Sequence, residues 1–176
     1  MNNSATTHSL GIYMKTLYLV RHAEASAQSL SRADLSRQLS QHGEEEASLM
    51  GQRLSQRLKP EMMISSHAQR AKTTAKILAS LLTYREADIL FEERIYEAEP
   101  DDLLSVINAV DNKIACLMLV GHNPALTQLV KTFAQGDIPN MPPCSIAVLQ
   151  STTGAWHDLT CGNTELLDFD YPKKNE

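Results

Sequence analysis

The chain has 176 residues, 43% apolar and 21% charged, with 16 Lys and Arg against 21 Asp and Glu and a formal net charge of −5. At roughly 150 residues per domain this is one folded unit, long enough to bury a core. Net acidity and an aromatic content of only 5% argue against a counterion-displacing nucleic-acid binder and against a row of base-stacking or sugar-stacking platforms.

Cys116, Cys144 and Cys161 are odd in number, widely spaced and free of any C-x-x-C pair. They read as buried, reduced thiols of a cytoplasmic protein, not as a disulfide framework or zinc ribbon. No apolar run has the length of a membrane span. Residues 1–13 are polar and lack a cationic segment followed by an apolar one, so they do not read as a secretory signal. Because Met14-Lys15 precedes the first apolar run, Met14 reads as a natural start and residues 1–13 as a flexible extension. Residues 14–165 read as a single domain and 166–176 as a tail.

In chain order, Thr16-Leu17-Tyr18-Leu19-Val20 is a β-type run without polar alternation, as in a strand covered on both faces. Ser40 is placed to cap a helix with Glu44, Glu45 and Glu46 in its early turns. Ala47, Met50, Leu54 and Leu58 form its buried stripe, and Pro60 ends it. Met62-Met63-Ile64 predicts a second strand, and a second helix runs from Ala68 to about Leu82. Ile89-Leu90-Phe91 predicts a third strand. Pro100, followed by Asp101 and Asp102, opens a third helix with Leu103, Leu104 and Ile107 inside. Residues 115–120 form another continuous apolar run. Pro124 opens a fourth helix carrying Leu126, Leu129, Val130 and Phe133. Residues 145–149 and 155–159 read as two short strands joined around Thr153-Gly154. Strands alternating with helices predict an α/β fold, a three-layer α/β/α sandwich with a mostly parallel central sheet.

In such a sheet ligands bind beyond the carboxyl ends of the strands. Three buried runs here end in Arg or His: Arg21-His22, then Ser65-Ser66-His67-Ala68-Gln69-Arg70, then Gly121-His122-Asn123-Pro124. Any one of these could be an ordinary surface residue. Three together predict that Arg21, His22, Arg70 and His122 converge as a positive island suited to phosphate. No H-x-x-x-H pair or carboxylate cluster accompanies them, and two arginines would repel a cation, so a metal site is disfavoured. Arginine forks match phosphoryl oxygens, one neutral imidazole can attack phosphorus, and a second can donate to a phosphoryl oxygen.

Leu19-Val20-Arg21-His22-Ala23 resembles the signature of the histidine phosphatase superfamily, the phosphoglycerate-mutase-like proteins. The stretch Ser65-Ser66-His67-Ala68-Gln69-Arg70-Ala71-Lys72-Thr73-Thr74-Ala75 resembles its second motif, and Val120-Gly121-His122-Asn123-Pro124 its third. Order and spacing agree from Lys15 to about Leu159. The resemblance implies a phosphoglycerate-mutase-like fold, with His22 as a nucleophile that becomes phosphorylated. It implies that Arg21, Arg70 and His122 complete a phosphate pocket that needs no metal or cofactor. Ala23 stands where glycine is commoner, and His67 where proline is. Ala23 and the short chain are similar to the SixA-type protein-phosphohistidine phosphatases, whose open pocket suits a phosphorylated side chain on a protein. Glu97 lies where many relatives carry their acid, with Glu93, Glu99 and Asp101 as competitors.

Arg37, in Asp34-Leu35-Ser36-Arg37-Gln38-Leu39, reads as an arginine tying its loop to the body. His67 reads as a turn residue, and His8, His42 and His157 as surface residues. The expected activity is a phosphatase acting through phosphohistidine on a phosphorylated signalling or phosphotransfer protein, in the cytoplasm, with neither nucleic acid nor membrane as partner. A phosphomonoesterase for a small metabolite is the enzyme alternative, to be separated by a substrate panel. A mutase is less favoured, for want of a further basic cluster. A non-catalytic phosphoprotein-binding module is the other class, to be separated by acid-labile phosphate incorporation.

Overall fold

A computed structural model describes residues 14–27, 34–134, 138 and 140–174; the expectations for residues 1–13, including His8, lie outside the described residues. Six strands form one sheet: β1 (Lys15–Arg21), β2 (Met62–Ser66), β3 (Leu90–Glu92), β4 (Cys116–Gly121), β5 (Ile146–Ser151) and β6 (Thr164–Asp170), in the order β3-β2-β4-β1-β5-β6. The sheet is mixed. β3, β2, β4 and β1 are mutually parallel, whereas β5 runs antiparallel to both β1 and β6.

The helices are α1 (Gln41–Leu54), α2 (Gln69–Leu81), α3 (Pro100–Asn108) and α4 (Ala125–Ala134). The pleat explains why the strands lack polar alternation. Leu17, Leu19, Leu117 and Leu119 face a core shared with Leu103, Val106 and Ile107 of α3 and Leu126, Leu129 and Val130 of α4. Tyr18, Val20, Met118 and Val120 face Ala47, Met50 and Leu54 of α1 and Ala71, Ala75 and Leu78 of α2. With helices on both faces, alternate side chains are all buried.

Three expectations are corrected. The first helix ends at Leu54, where the Ser55 hydroxyl and amide both turn back onto the Gln52 carbonyl. That side-chain bond competes with helical continuation, although Leu58 still packs into the core. Residues 155–159 contain a 3-10 turn, Trp156–Asp158, rather than a strand. Trp156 is fully buried there, its indole Nε1–H donating to the Ile114 carbonyl and its backbone N–H to the Asn112 side chain. The last strand is instead β6, which carries the sheet through residue 170, into the segment set apart as a tail. Arg53 of α1 and Arg57 in the turn that follows it pair with Asp170 and Asp168 and hold it. Cys144 is buried and Cys116 partly so, but Cys161 is exposed.

No helix among the described residues is long and apolar enough to cross a membrane. β1, α1 and β2 lead the chain past the place of β4 before it returns between them. The carboxyl ends of β1, β4 and β2 therefore lie side by side at a crossover point, the usual place for a ligand in an open α/β sheet.

Candidate active site

β1 ends in Arg21, and β4 ends beside it in Gly121, paired in register. His22 follows, only 8% exposed. Its Nδ1 lies 2.7 Å from the Ala23 carbonyl oxygen, which can only accept, so Nδ1 carries the proton and Nε2 keeps its lone pair. The Nε–H of Arg70 donates to that Nε2 across 3.3 Å. Burial, opposed by the Ala23 bond and reinforced by Arg70, Arg21 and Arg37, lowers the His22 pKa from 6.5 to about 4. The ring is a neutral imidazole at physiological pH.

His122 follows β4, its ring centroid 5.0 Å from that of His22. Its Nε2 is 2.8 Å from the Ser66 hydroxyl at the end of β2, which itself accepts the Ala68 N–H. When the hydroxyl donates to Nε2, the neutral ring carries its proton on Nδ1, a buried atom with no protein partner. Burial first, then the neighbouring His22 and Arg70 with Arg21, pull its pKa from 6.5 to about 3, against an opposing pull from Asp34. Arg21 is anchored through Nη1 to the Met141 carbonyl at 2.6 Å, while its Nε is buried without a partner. That carbonyl also accepts from Asn123, which Thr127 of α4 holds in turn.

Arg70 enters from the first turn of α2 and is 5% exposed. Its Nη1 and Nη2 donate to the backbone carbonyl and Oδ2 of Asp34, each at 2.7 Å. The Tyr96 hydroxyl donates to the same Oδ2 at 3.0 Å, and Arg37 pairs with Oδ1 at 3.1 Å. Thr74 of α2 joins the helix to the loop behind His22: its hydroxyl accepts the Ala23 N–H and donates to the Arg70 carbonyl. Gly43 lets α1 approach the same loop, for a Cβ there would stand 2.1 Å from the Glu24 carbonyl oxygen. The result is a cluster of guanidinium and imidazole donors with unspent N–H capacity, arranged for a tetrahedral oxyanion.

A sequence profile of the Histidine phosphatase superfamily (branch 1) matches residues 17–103. The chain is 32% identical over 165 residues to an uncharacterized protein of Mycobacterium tuberculosis, covering 88% of this chain and 100% of that one. The chain belongs to the histidine phosphatase superfamily. In fold it is similar to SixA-type phosphatases. The fold matches a protein described as "the putative phosphohistidine phosphatase SixA from Agrobacterium tumefaciens" with a TM-score of 0.78 at 26% identity, over 90% of this chain and 98% of that one. It also matches the protein histidine phosphatase SixA complexed with tungstate, with a TM-score of 0.74 at 21% identity, over 92% and 99% of the two chains. Membership supports phosphatase chemistry.

Of the residues expected in the site of this histidine phosphatase, Arg21, His22, Arg70 and His122 lie together. Glu97 makes no hydrogen bond or ion pair to any of the four; it is exposed, in a left-handed backbone conformation (φ 53°), and follows Tyr96, whose ring stands edge-on to His122. Glu99 caps α3 instead, its N–H donating to Asp102. Arg37 does tie its loop, through Asp34. His67 occupies the turn after β2 and sets its ring edge-on to Tyr96, which stands edge-on to His122. His42 and His157 are exposed surface residues beside Glu46 and Asp158. Asp34, Thr74 and Tyr96 were not singled out as site residues in the sequence, although Thr74 stands within the second motif. The only available signal was the acidic-to-basic spacing of Asp34 and Arg37 on one turn. Among the described residues no cluster of three or more His, Cys, Asp and Glu is arranged to hold a metal ion.

Proposed function

We propose that this histidine phosphatase hydrolyses phosphohistidine on a protein, through a phosphorylated His22, with no metal or cofactor taking part. The observation that carries the reading is the state of His22: a neutral ring whose Nδ1 proton is fixed on Ala23 and whose Nε2 lone pair sits among Arg70 and His122.

The first step forms a bond from Nε2 of His22 to phosphorus as the bond to the departing imidazole nitrogen breaks, its electron pair leaving with that nitrogen. Arg21 and Arg70 hold the equatorial oxygens, and the Nδ1–H of His122 donates to one of them. His22 gains positive charge as it is phosphorylated, and the Ala23 carbonyl stabilises it through Nδ1–H. In the second step water bonds to phosphorus, the Nε2–phosphorus pair returns to His22, and a water proton ends on the released phosphate. An imidazole leaving group departs neutral when its other nitrogen carries a proton. A leaving group of that kind needs no separate acid, which favours phosphohistidine over an alkyl phosphate ester.

The test is incubation with a phosphohistidine peptide and with a panel of sugar and nucleotide phosphates. Wild type is expected to turn over the peptide fastest and to trap acid-labile phosphate, which His22→Ala does not. Absence of acid-labile phosphate on wild type, with unchanged phosphopeptide binding by His22→Ala, defeats the reading in favour of a binding module. Faster turnover of a small metabolite transfers it to a phosphomonoesterase.

A further inference from the structure

We propose that Asp34 is an internal competitor for the phosphoryl group: its carboxylate and its backbone carbonyl together fill the Nη1/Nη2 edge of Arg70, and phosphate binds there by displacing Asp34. This rests on the reading of Arg70 as a phosphoryl-binding residue.

Each nitrogen of the Arg70 guanidinium has a partner. Nε faces His22, while Nη1 and Nη2 both end on Asp34, at 2.7 Å each. Two oxygens across the planar end of a guanidinium is the arrangement that a phosphoryl group would take there. The Asp34 carbonyl oxygen already takes Nη1 and its Oδ2 takes Nη2, so a phosphoryl group can occupy that edge only when Asp34 moves off it. One of the two must move. Arg70 is 5% exposed and fixed in α2. Asp34 belongs to a single 3-10 turn, Asp34–Ser36, that contains no buried residue, and its side chain is one-third exposed (33%). Asp34 is therefore the group that can leave without opening the core. It also has partners to leave with, since Arg37 holds Oδ1 and the Tyr96 hydroxyl holds Oδ2.

The consequence is a phosphate affinity set below what the pocket cations alone would provide. A ligand that binds only the Asp34-released state sees its affinity reduced by that state's population. Such weakening favours departure of inorganic phosphate after each turnover. The alternative role for Asp34, holding Arg70 in place for substrate, predicts the opposite sign.

Binding of inorganic phosphate to the full chain, measured by calorimetry at fixed ionic strength, separates the two. Asp34→Asn is expected to bind phosphate about tenfold more tightly than wild type, as follows if the released state is populated about one-tenth of the time. Tyr96→Phe, which removes one of the two holds on Oδ2 and keeps the ring, is read in parallel and is expected to change the affinity by less than Asp34→Asn does. Unchanged, weaker or undetectable phosphate binding by a folded Asp34→Asn overturns the proposal. If Asp34→Asn fails to fold, Asp34→Ser takes its place, with the same expectation and the same overturning result. Because the readout needs no turnover, tighter binding without any phosphorylated His22 would leave this proposal standing and defeat the phosphatase mechanism, and the converse result would do the reverse.

Discussion

The guanidinium of Arg70 contacts the nitrogen that would attack phosphorus: its Nε–H points at Nε2 of His22 from 3.3 Å. A fixed cation at that distance keeps a second proton off the ring and stands where phosphoryl charge would gather. Arg70→Ala is expected to lower kcat/KM toward a phosphohistidine peptide about 10²–10³-fold, the scale of losing a preorganised electrostatic donor. Arg70→Lys should recover little, since a point charge cannot reproduce the planar fork. Near-normal kcat/KM for Arg70→Ala would contradict the assignment.

Both rings resist protonation, His22 down to about pH 4 and His122 to about pH 3, against an ordinary value of 6.5. Their side-chain resonances in NMR should show no titration between about pH 8 and about pH 5. The sign for stability follows. The unfolded chain takes up these protons near pH 6.5 and the folded chain does not, so their contribution is whole above that pH and falls as pH drops towards 4. Denaturant midpoints measured across this window should decline with acidification. A midpoint near 6.5 for either ring would refute the burial argument.

Thr74 is fully buried and accepts the N–H of Ala23, the residue after the proposed nucleophile. Thr74→Val keeps the shape and leaves that N–H without a partner, at a cost of about 1–3 kcal/mol. The variant should fold with a lowered Tm and lose kcat more than KM, because the loop it holds carries His22. Thr74→Ser should restore both.

Gly43→Ala would push a methyl to 2.1 Å from the Glu24 carbonyl oxygen, a backbone atom that cannot turn aside. Overpacking of this kind costs about 1–3 kcal/mol, to be read as a reduced urea midpoint. A neutral effect would mean that α1 and the loop behind His22 can separate freely.

Trp156→Ala should destabilise by about 3–5 kcal/mol, the range for removing a buried aromatic side chain. It would also strip a ring that Lys15 overlies at 5.3 Å. Thermal unfolding of the purified variant checks this, and a change below 1 kcal/mol, about the size of a surface substitution, would show that the turn is held by other contacts.

What could be read in the amino-acid order was whatever repeats locally or sits beside a strand. Continuous apolar runs marked strands covered on both faces, and Arg21, His22, Arg70 and His122 drew notice because each follows such a run at one end. The path of β6 was harder to see. Its residues, Thr164 to Asp170, alternate weakly, and Trp156 draws residues 155–159 out of extended form by burying its ring. Asp34 and Tyr96 escaped because 62 positions separate them and a carboxylate or phenol in a polar stretch has no distinguishing period. Glu97 drew notice by its place in the chain; it is exposed, its backbone is left-handed, and it makes no hydrogen bond to the cluster.

Sequence alone thus determined the layers and the strand-end chemistry, because burial patterns and residue types are properties of neighbours along the chain. Tertiary structure alone decided which nitrogen of His22 keeps its lone pair and which anion occupies Arg70. Both depend on hydrogen-bond partners delivered from separate elements, and only the closed fold brings those within a few ångströms.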